Sequence, residues 1–226
     1  MLNKQDGEYM IHKISLYKKI LLDKGFILTC VYVLNKIINK CFGKLVFGRL
    51  DVSVVHDLRI SGTDCMQIGR SFSMGRGGWL YCLKEFGDSV EKQIFKPQLR
   101  IGDHVSIGEY VHIGCAYHIE IGNNVLMASK IYIADHNHGS YRGEMQSSPD
   151  VPPVKRELTY REVIIGDNVW LGEFVSIMPG VTIGRGSIIG AHSTVTHNIP
   201  PRSIAVGSPA QVIKQWNNST KMWEKV

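Results

Sequence analysis

The feature that most constrains this chain is a six-residue period. From Ile101 onward an aliphatic residue returns at every sixth position, nearly always followed by a small one: Ile101-Gly102, Ile107-Gly108, Ile113-Gly114. After a two-residue slip the series resumes as Ile121-Gly122, Met127-Ala128 and Ile133-Ala134. After a gap it returns as Ile165-Gly166, Leu171-Gly172, Ile177-Met178, Ile183-Gly184, Ile189-Gly190 and Val195-Thr196. The fifth position is mostly Val, Ile or Ser, as at Val105, Val125, Ile131, Val169 and Ser187. Neither the 3.6 period of a helix nor the alternation of a strand generates a strict six. A short strand and a tight turn do. Three such units close a triangular coil of about eighteen residues and stack the aliphatic side chains inward, about 4.8 Å apart. The Gly after each aliphatic residue is expected to serve the backbone angles of the turn.

The period implies an all-β solenoid, a parallel β-helix over residues 51–208. Weaker turns open it at Ile60, Ile68-Gly69, Met74-Gly75 and Leu80, and the step Ile60 to Ile68 matches the step Ile113 to Ile121. Two stretches break the pattern, at about residues 81–99 and 137–162; the second is polar and carries Pro149, Pro152 and Pro153. Long loops on a regular scaffold are commonly lids or binding loops. Residues 209–226 form a short tail, expected to be helical at first, with Trp216 and Trp223 as apolar anchors.

Ahead of the solenoid, residues 1–50 hold nine basic and three acidic residues, while 17 of each sign remain from Asp51 on. The formal charge of +6 therefore belongs to the first fifth of the chain. Tyr9–Lys24 reads as an amphipathic helix through Met10, Ile11, Ile14, Tyr17 and Leu21. Gly25 ends it, and Phe26–Phe42 is a candidate second helix. Two roles fit this segment: a cap on the open edge of the solenoid, or a peripheral contact with an anionic membrane. The apolar run from Phe26 to Leu34 is too short to span a bilayer, which needs about 20 residues, and no A-x-A site follows it. Nucleic acid is a poor partner, because the basic residues lie on an amphipathic helix without a recognised binding motif. Five scattered cysteines without a C-x-x-C pair argue against disulfides and thiolate metal sites and fit a reducing compartment. These features read as a cytoplasmic protein, with the inner face of the membrane as the place such a helix would bring it.

Residues 58–214 carry a specific resemblance to the hexapeptide-repeat acyltransferases. Ile165 to Gly172 (IGDNVWLG), Pro179 to Gly184 (PGVTIG) and Ser203 to Ala210 (SIAVGSPA) read like galactoside and maltose O-acetyltransferases. Ile133 to Gly139 (IADHNHG) looks more like the bacterial polysaccharide O-acetyltransferases. The resemblance implies a left-handed parallel β-helix, acetyl-CoA as donor, a sugar hydroxyl as acceptor, and a homotrimer with active sites between subunits. The acceptor it suggests is a saccharide of a surface polysaccharide or its precursor; the alternative is N-acetylation of a nucleotide-linked amino sugar.

Acetyl transfer to a hydroxyl needs a base for the hydroxyl proton and donors for the tetrahedral oxyanion. Imidazole is the natural base. His136 stands where the second excursion leaves the repeats and matches the family's catalytic His, with His138 as the competing candidate. Its orienting partner could be Asp135, Glu157 or a backbone carbonyl; for Asp135, turn chemistry is the favoured reading. On the donor side the resemblance assigns Trp170 to the cleft, Gly172, Ala191 and Thr196 to the pantetheine arm, and Lys214 to the phosphates. His197 stands where Lys is common, and Gln211 where Arg is common; Arg202 or Lys214 could compensate. Cys115-Ala116 replaces an acidic pair of the galactoside enzymes. No metal is expected: the γ-class carbonic anhydrases share this fold, but their pair of His ligands five apart does not occur within the repeats, and His112 and His118 are six apart.

Overall fold

The computed structural model describes residues 4–88 and 92–226, and in the N-terminal helix the side chains of 15, 18–23 and those from 25 on. Residues 53–207 wind as a parallel β-helix with three sheets. The first sheet stacks Ser53–Val54, Ser73–Met74, Ser106–Ile107, Leu126–Met127, Trp170–Leu171, Ile188–Ile189 and Ser203–Gly207. The second stacks Arg59–Ser61, Trp79–Cys82, His112–Cys115, Tyr132–Ala134, Ser176–Ile177 and Thr194–Val195. The third runs through Met66–Ile68, Gln98–Ile101, His118–Ile121, Val163–Ile165 and Thr182–Ile183.

Register follows the period. Leu80, Ile113, Ile133, Ile177 and Val195 pair successively and point inward, as do Ile101, Ile121, Ile165 and Ile183 on the third sheet. All are buried, together with the fifth-position residues Val105, Val125, Val169 and Val175, so one aliphatic column fills the prism. At the last coils Ser187 and Ser193 occupy fifth positions, and their hydroxyls donate to the Pro200 and Gly190 carbonyls at 2.8 and 2.7 Å.

The glycines serve a different purpose from the one the period suggests. Left-handed backbone falls two residues after them, on His104, Asn124, Asn168 and His192 among others. The glycines are required by the stacking itself. A Cβ on Gly108 would lie 2.7 Å from the Ala128 carbonyl oxygen, and one on Gly172 would lie 2.6 Å from the Ala191 nitrogen. Coils at strand spacing leave no room for a methyl group at those corners.

The two ends differ from expectation. The tail is not helical: Ala210–Asn217 and Met222–Lys225 form an antiparallel hairpin that extends the first sheet, with Trp216 against Trp223 at 5.4 Å. The last coil would otherwise expose a row of unpaired backbone groups, and the hairpin closes it. At the other end one helix runs from Lys4 to Phe47, broken at Gly25 (φ 76°, ψ 171°) and ended by Gly48 in the left-handed region. The apolar face expected from Met10, Ile11, Ile14 and Tyr17 lies outside the described side chains. Among the described side chains, capping is confined to the last turns, where Phe42 and Phe47 pack on the first coil and Phe47 meets Phe72 edge-on. Phe26, Ile27, Leu28, Leu34 and Ile37 are all exposed. The reading of this stretch as too short to span is also corrected. Gly25–Phe47 is a helix of 23 residues, mean hydropathy 1.3, long and apolar enough to cross a membrane.

Candidate active site

The chain leaves the coil after Ala134 and returns at Val163, and the excursion is anchored by an antiparallel pairing of His136–His138 with Leu158–Tyr160. Arg161 N–H donates to the Asp135 carbonyl at 2.7 Å and ties the return to the departure. His136 is therefore held between a rigid strand and a sewn hairpin.

Asp135 is fully buried. Its carboxylate accepts the N–H groups of Ala116 and Tyr117 at 2.8 and 2.7 Å, and Oδ1 lies 2.9 Å from His136 Nδ1. Those two N–H groups belong to the two-residue slip between Cys115 and His118. The turn reading favoured for Asp135 is corrected: its carboxylate reaches N–H groups 18 and 19 positions away on the neighbouring coil, and it holds the imidazole as well. Because a carboxylate only accepts, Nδ1 carries the hydrogen and Nε2 presents its lone pair. Facing Nε2 at 3.3 Å is the Tyr81 hydroxyl. Burial pushes the Tyr81 phenol up to about 12, so it stays protonated and donates. His138 lies apart, its ring against Phe86 at 5.1 Å on the hairpin. Glu157 is exposed, and its backbone carbonyl accepts the Gly139 N–H.

On the C-terminal side of His136 a groove of about 530 Å³ opens under the hairpin. Asn137, Arg142 and Arg161 line it from the excursion, and Met178, Thr196 and His197 from the corner between the second and third sheets. Thr196 and His197 thus share a groove that begins next to His136, with Thr196 Oγ1 2.8 Å from His197 Nδ1. Arg142 and Arg161 supply cations there that the reading of the repeats did not single out. Their side chains come from the aperiodic excursion, which carries no positional signal. Lys214 is elsewhere, on the terminal hairpin opposite Ile204, and Arg202 donates to Asn218 of that hairpin at 2.5 Å.

The remaining residues that the resemblance assigns to the donor lie on the opposite edge of the second sheet. Trp170 stands half-exposed on the first sheet in register with Leu126 and Ile188, and Gly172 and Ala191 stack at the corner that follows. One chain thus presents His136, Thr196 and His197 at one corner and Trp170, Gly172 and Ala191 at another. Cys115 and Ala116 are both buried and present no polar side chain in place of the acidic pair. Among the described residues no group of three or more His, Cys, Asp or Glu could hold a metal.

Residues 162–197 match the model of the bacterial transferase hexapeptide family (six repeats). The chain is 42% identical over 161 residues to the Escherichia coli (strain K12) protein named "Putative lipopolysaccharide biosynthesis O-acetyl transferase WbbJ"; the match covers 71% of this chain and 76% of that one. It is 41% identical over 106 residues to galactoside O-acetyltransferase of the same organism, covering 45% of this chain and 46% of that enzyme. Among solved structures, a point variant of AntD, an N-acyltransferase from Bacillus cereus in complex with dTDP-4-amino-4,6-dideoxyglucose and coenzyme A, superposes with a TM-score of 0.58 at 21% identity. That match covers 75% of this chain and 83% of the other, and the likeness is one of fold. With its family model, its relatives and its three-sheeted coil in agreement, the chain belongs to the hexapeptide-repeat acyltransferases and folds as their left-handed parallel β-helix.

Proposed function

We propose that this protein is an O-acetyltransferase that moves acetyl from acetyl-CoA to a sugar hydroxyl of a bacterial surface polysaccharide or its precursor, with His136 as general base. The observation that carries the reading is the Asp135–His136 pair, a buried carboxylate fixing the tautomer that leaves the Nε2 lone pair facing the Tyr81 hydroxyl, one residue from a groove whose lining begins at Asn137. His136 Nε2 takes the acceptor hydroxyl proton as the oxygen attacks the thioester carbonyl. The tetrahedral oxyanion is held by a backbone N–H, as the family resemblance implies. Collapse expels the thiolate, which receives the proton from the imidazolium, leaving an ester and free coenzyme A. On the donor side Trp170, Gly172, Ala191 and Thr196 would take the pantetheine arm. His197, with Arg142 and Arg161, would meet its phosphates; Lys214 would do so only from the terminal hairpin.

A homotrimer is part of this reading. The two halves of the site sit at opposite edges of one sheet, and a neighbouring copy would supply the missing half at each cleft. Co-assembly of His136→Ala with Ala191→Trp subunits should then restore about a quarter of the wild-type rate, since mixed interfaces reunite intact halves. No restoration would remove the shared site.

Peripheral membrane contact through residues 1–50 is supported by the exposed apolar surface of the helix. The segment from Phe26 to Phe47 has no acidic residue, and Lys36, Lys40 and Lys44 recur four apart on one side. Each Lys near an anionic surface adds about 1 kcal/mol, screened by salt. Salt-sensitive co-sedimentation with anionic but not neutral liposomes is expected; equal binding to both would count against it.

The test of function is release of coenzyme A thiol with a panel of hexose oligosaccharides, lipid-linked glycans and nucleotide-linked amino sugars, with mass analysis of the product. An alkali-labile ester supports O-transfer, an alkali-stable amide the alternative N-acetylation of an amino sugar. No turnover with any member would overturn both.

A further inference from the structure

The groove beside His136 opens toward the C-terminal coils, its lining beginning at Asn137. On the other side, toward the N-terminal coils, the neighbour of Nε2 is Tyr81, from the strand Trp79–Cys82 two coils earlier. In register with Tyr81 on the next two coils stand Gly114 and Ala134, the latter two residues before His136, and both are too small to obstruct. Gly114 is what lets the phenol reach across: a Cβ there would stand 2.4 Å from the Tyr81 hydroxyl oxygen and 2.5 Å from Cζ. The ring is held laterally by Trp79 at 5.3 Å and His112 at 5.4 Å. The hydroxyl is thus a fixed donor 3.3 Å from the lone pair that, in the proposed reaction, takes the acceptor's proton.

An acceptor hydroxyl that delivers its proton to Nε2 must come up beside the Tyr81 oxygen. A sugar offers a pair of neighbouring hydroxyls at hydrogen-bond spacing. One can donate to Nε2 while the other accepts from Tyr81 O–H. Resting on the transfer reading above, we infer that Tyr81 is a specificity-determining and positioning residue. It faces Nε2 from the side on which the acceptor arrives and, when a vicinal diol enters, binds the second hydroxyl so that one oxygen alone is acetylated. This assigns the acceptor to the Trp79–Tyr81 side of His136 and leaves the groove beside Thr196 to the donor.

Tyr81→Phe keeps the ring and its packing and removes only the donor. Gly114→Ala displaces the ring tip with the phenol intact. Two readouts apply to the full-length protein. The first needs no acceptor: carbethoxylation of His136 by diethyl pyrocarbonate, followed by peptide mass, with the exposed His138 as internal control. Freed of its hydrogen bond, Nε2 should react about fivefold faster in both variants, the worth of one neutral hydrogen bond, while His138 is unchanged. The second is the position of the ester, by NMR, on hexose oligosaccharides bearing vicinal diols. Wild type should give a single positional isomer and both variants a mixture. An unchanged His136 rate, or the same single isomer in both variants, overturns the role of Tyr81 while leaving acetyl transfer standing. A wild-type protein that acetylates nothing in the panel removes the transfer reading itself, and this proposal with it.

Discussion

At the corner between the first and second sheets the coils turn in strict register. Phe174 stacks on His192 at 4.6 Å, Lys130 lies over Phe174 at 4.8 Å, and Gly172 meets Ala191 backbone to backbone. At the corner between the second and third sheets the register slips by two residues after Cys115, and one coil later the chain departs altogether. A regular corner commits its N–H groups to the next coil, as Gly172 does to the Ile189 carbonyl. The slipped corner leaves two N–H groups aimed at a side chain, and Asp135 takes both. The comparison teaches that a repeat scaffold acquires a buried carboxylate with an imidazole held against it where its period fails. The regular edge can offer only a surface along which a ligand lies.

If that contrast is right, substitutions should separate cleanly by corner. His136→Ala is expected to lower acetyl transfer by about 10²–10⁴-fold with little change in the urea midpoint; a variant keeping half its activity would sink the assignment. Asp135→Ala strips two buried N–H groups of their acceptor and should destabilise the fold by about 2–5 kcal/mol. Asp167→Ala, whose carboxylate accepts the Asn123 N–H at an exposed corner, should cost about 1 kcal/mol. Equal losses in denaturant melts would erase the distinction. Trp170→Ala, at the regular edge, should raise KM for acetyl-CoA about tenfold with kcat nearly unchanged; a loss confined to kcat would move Trp170 into the chemistry.

The smallest effect concerns His112, on the sheet face between the corners. It stacks on Trp79 at 4.5 Å, its enclosed Nε2 lacks a partner among the described residues, and burial holds its pKa below the ordinary imidazole value. The folded state then binds fewer protons than the unfolded one. The contribution is complete above the free-imidazole value near 6.5 and is lost as pH falls below it. His112→Phe should flatten part of the decline in melting temperature between pH 7 and about 5; an identical decline in both proteins would show that other groups carry it.

Much of the fold was legible in the chain. Inward columns follow from the period because each coil repeats one geometric problem, and the break at Gly25 from a residue that leaves the helical region without strain. His136 was legible as the residue at which the period ends. Less could be read of what surrounds it. Tyr81 lies 55 positions away, and nothing in its own stretch distinguishes it from Trp79 or Tyr132. The tail misled because two Trp residues seven apart suit one face of a helix as well as a cross-strand pair, and the open edge of the last coil decides between them.

By itself the sequence determined the three-sided coil, the residues of its core and the place where the repeats are interrupted, since a six-residue period fixes which side chains turn inward; the left-handed sense comes from the family resemblance. Tertiary structure alone decided why the glycines are there, which carboxylate holds the imidazole, which hydroxyl faces its lone pair and which edge Trp170, Gly172 and Ala191 occupy. Those relations join residues one, two or three coils apart. They depend on how coils stack in space, a distance of a few ångströms that spacing along the chain does not record.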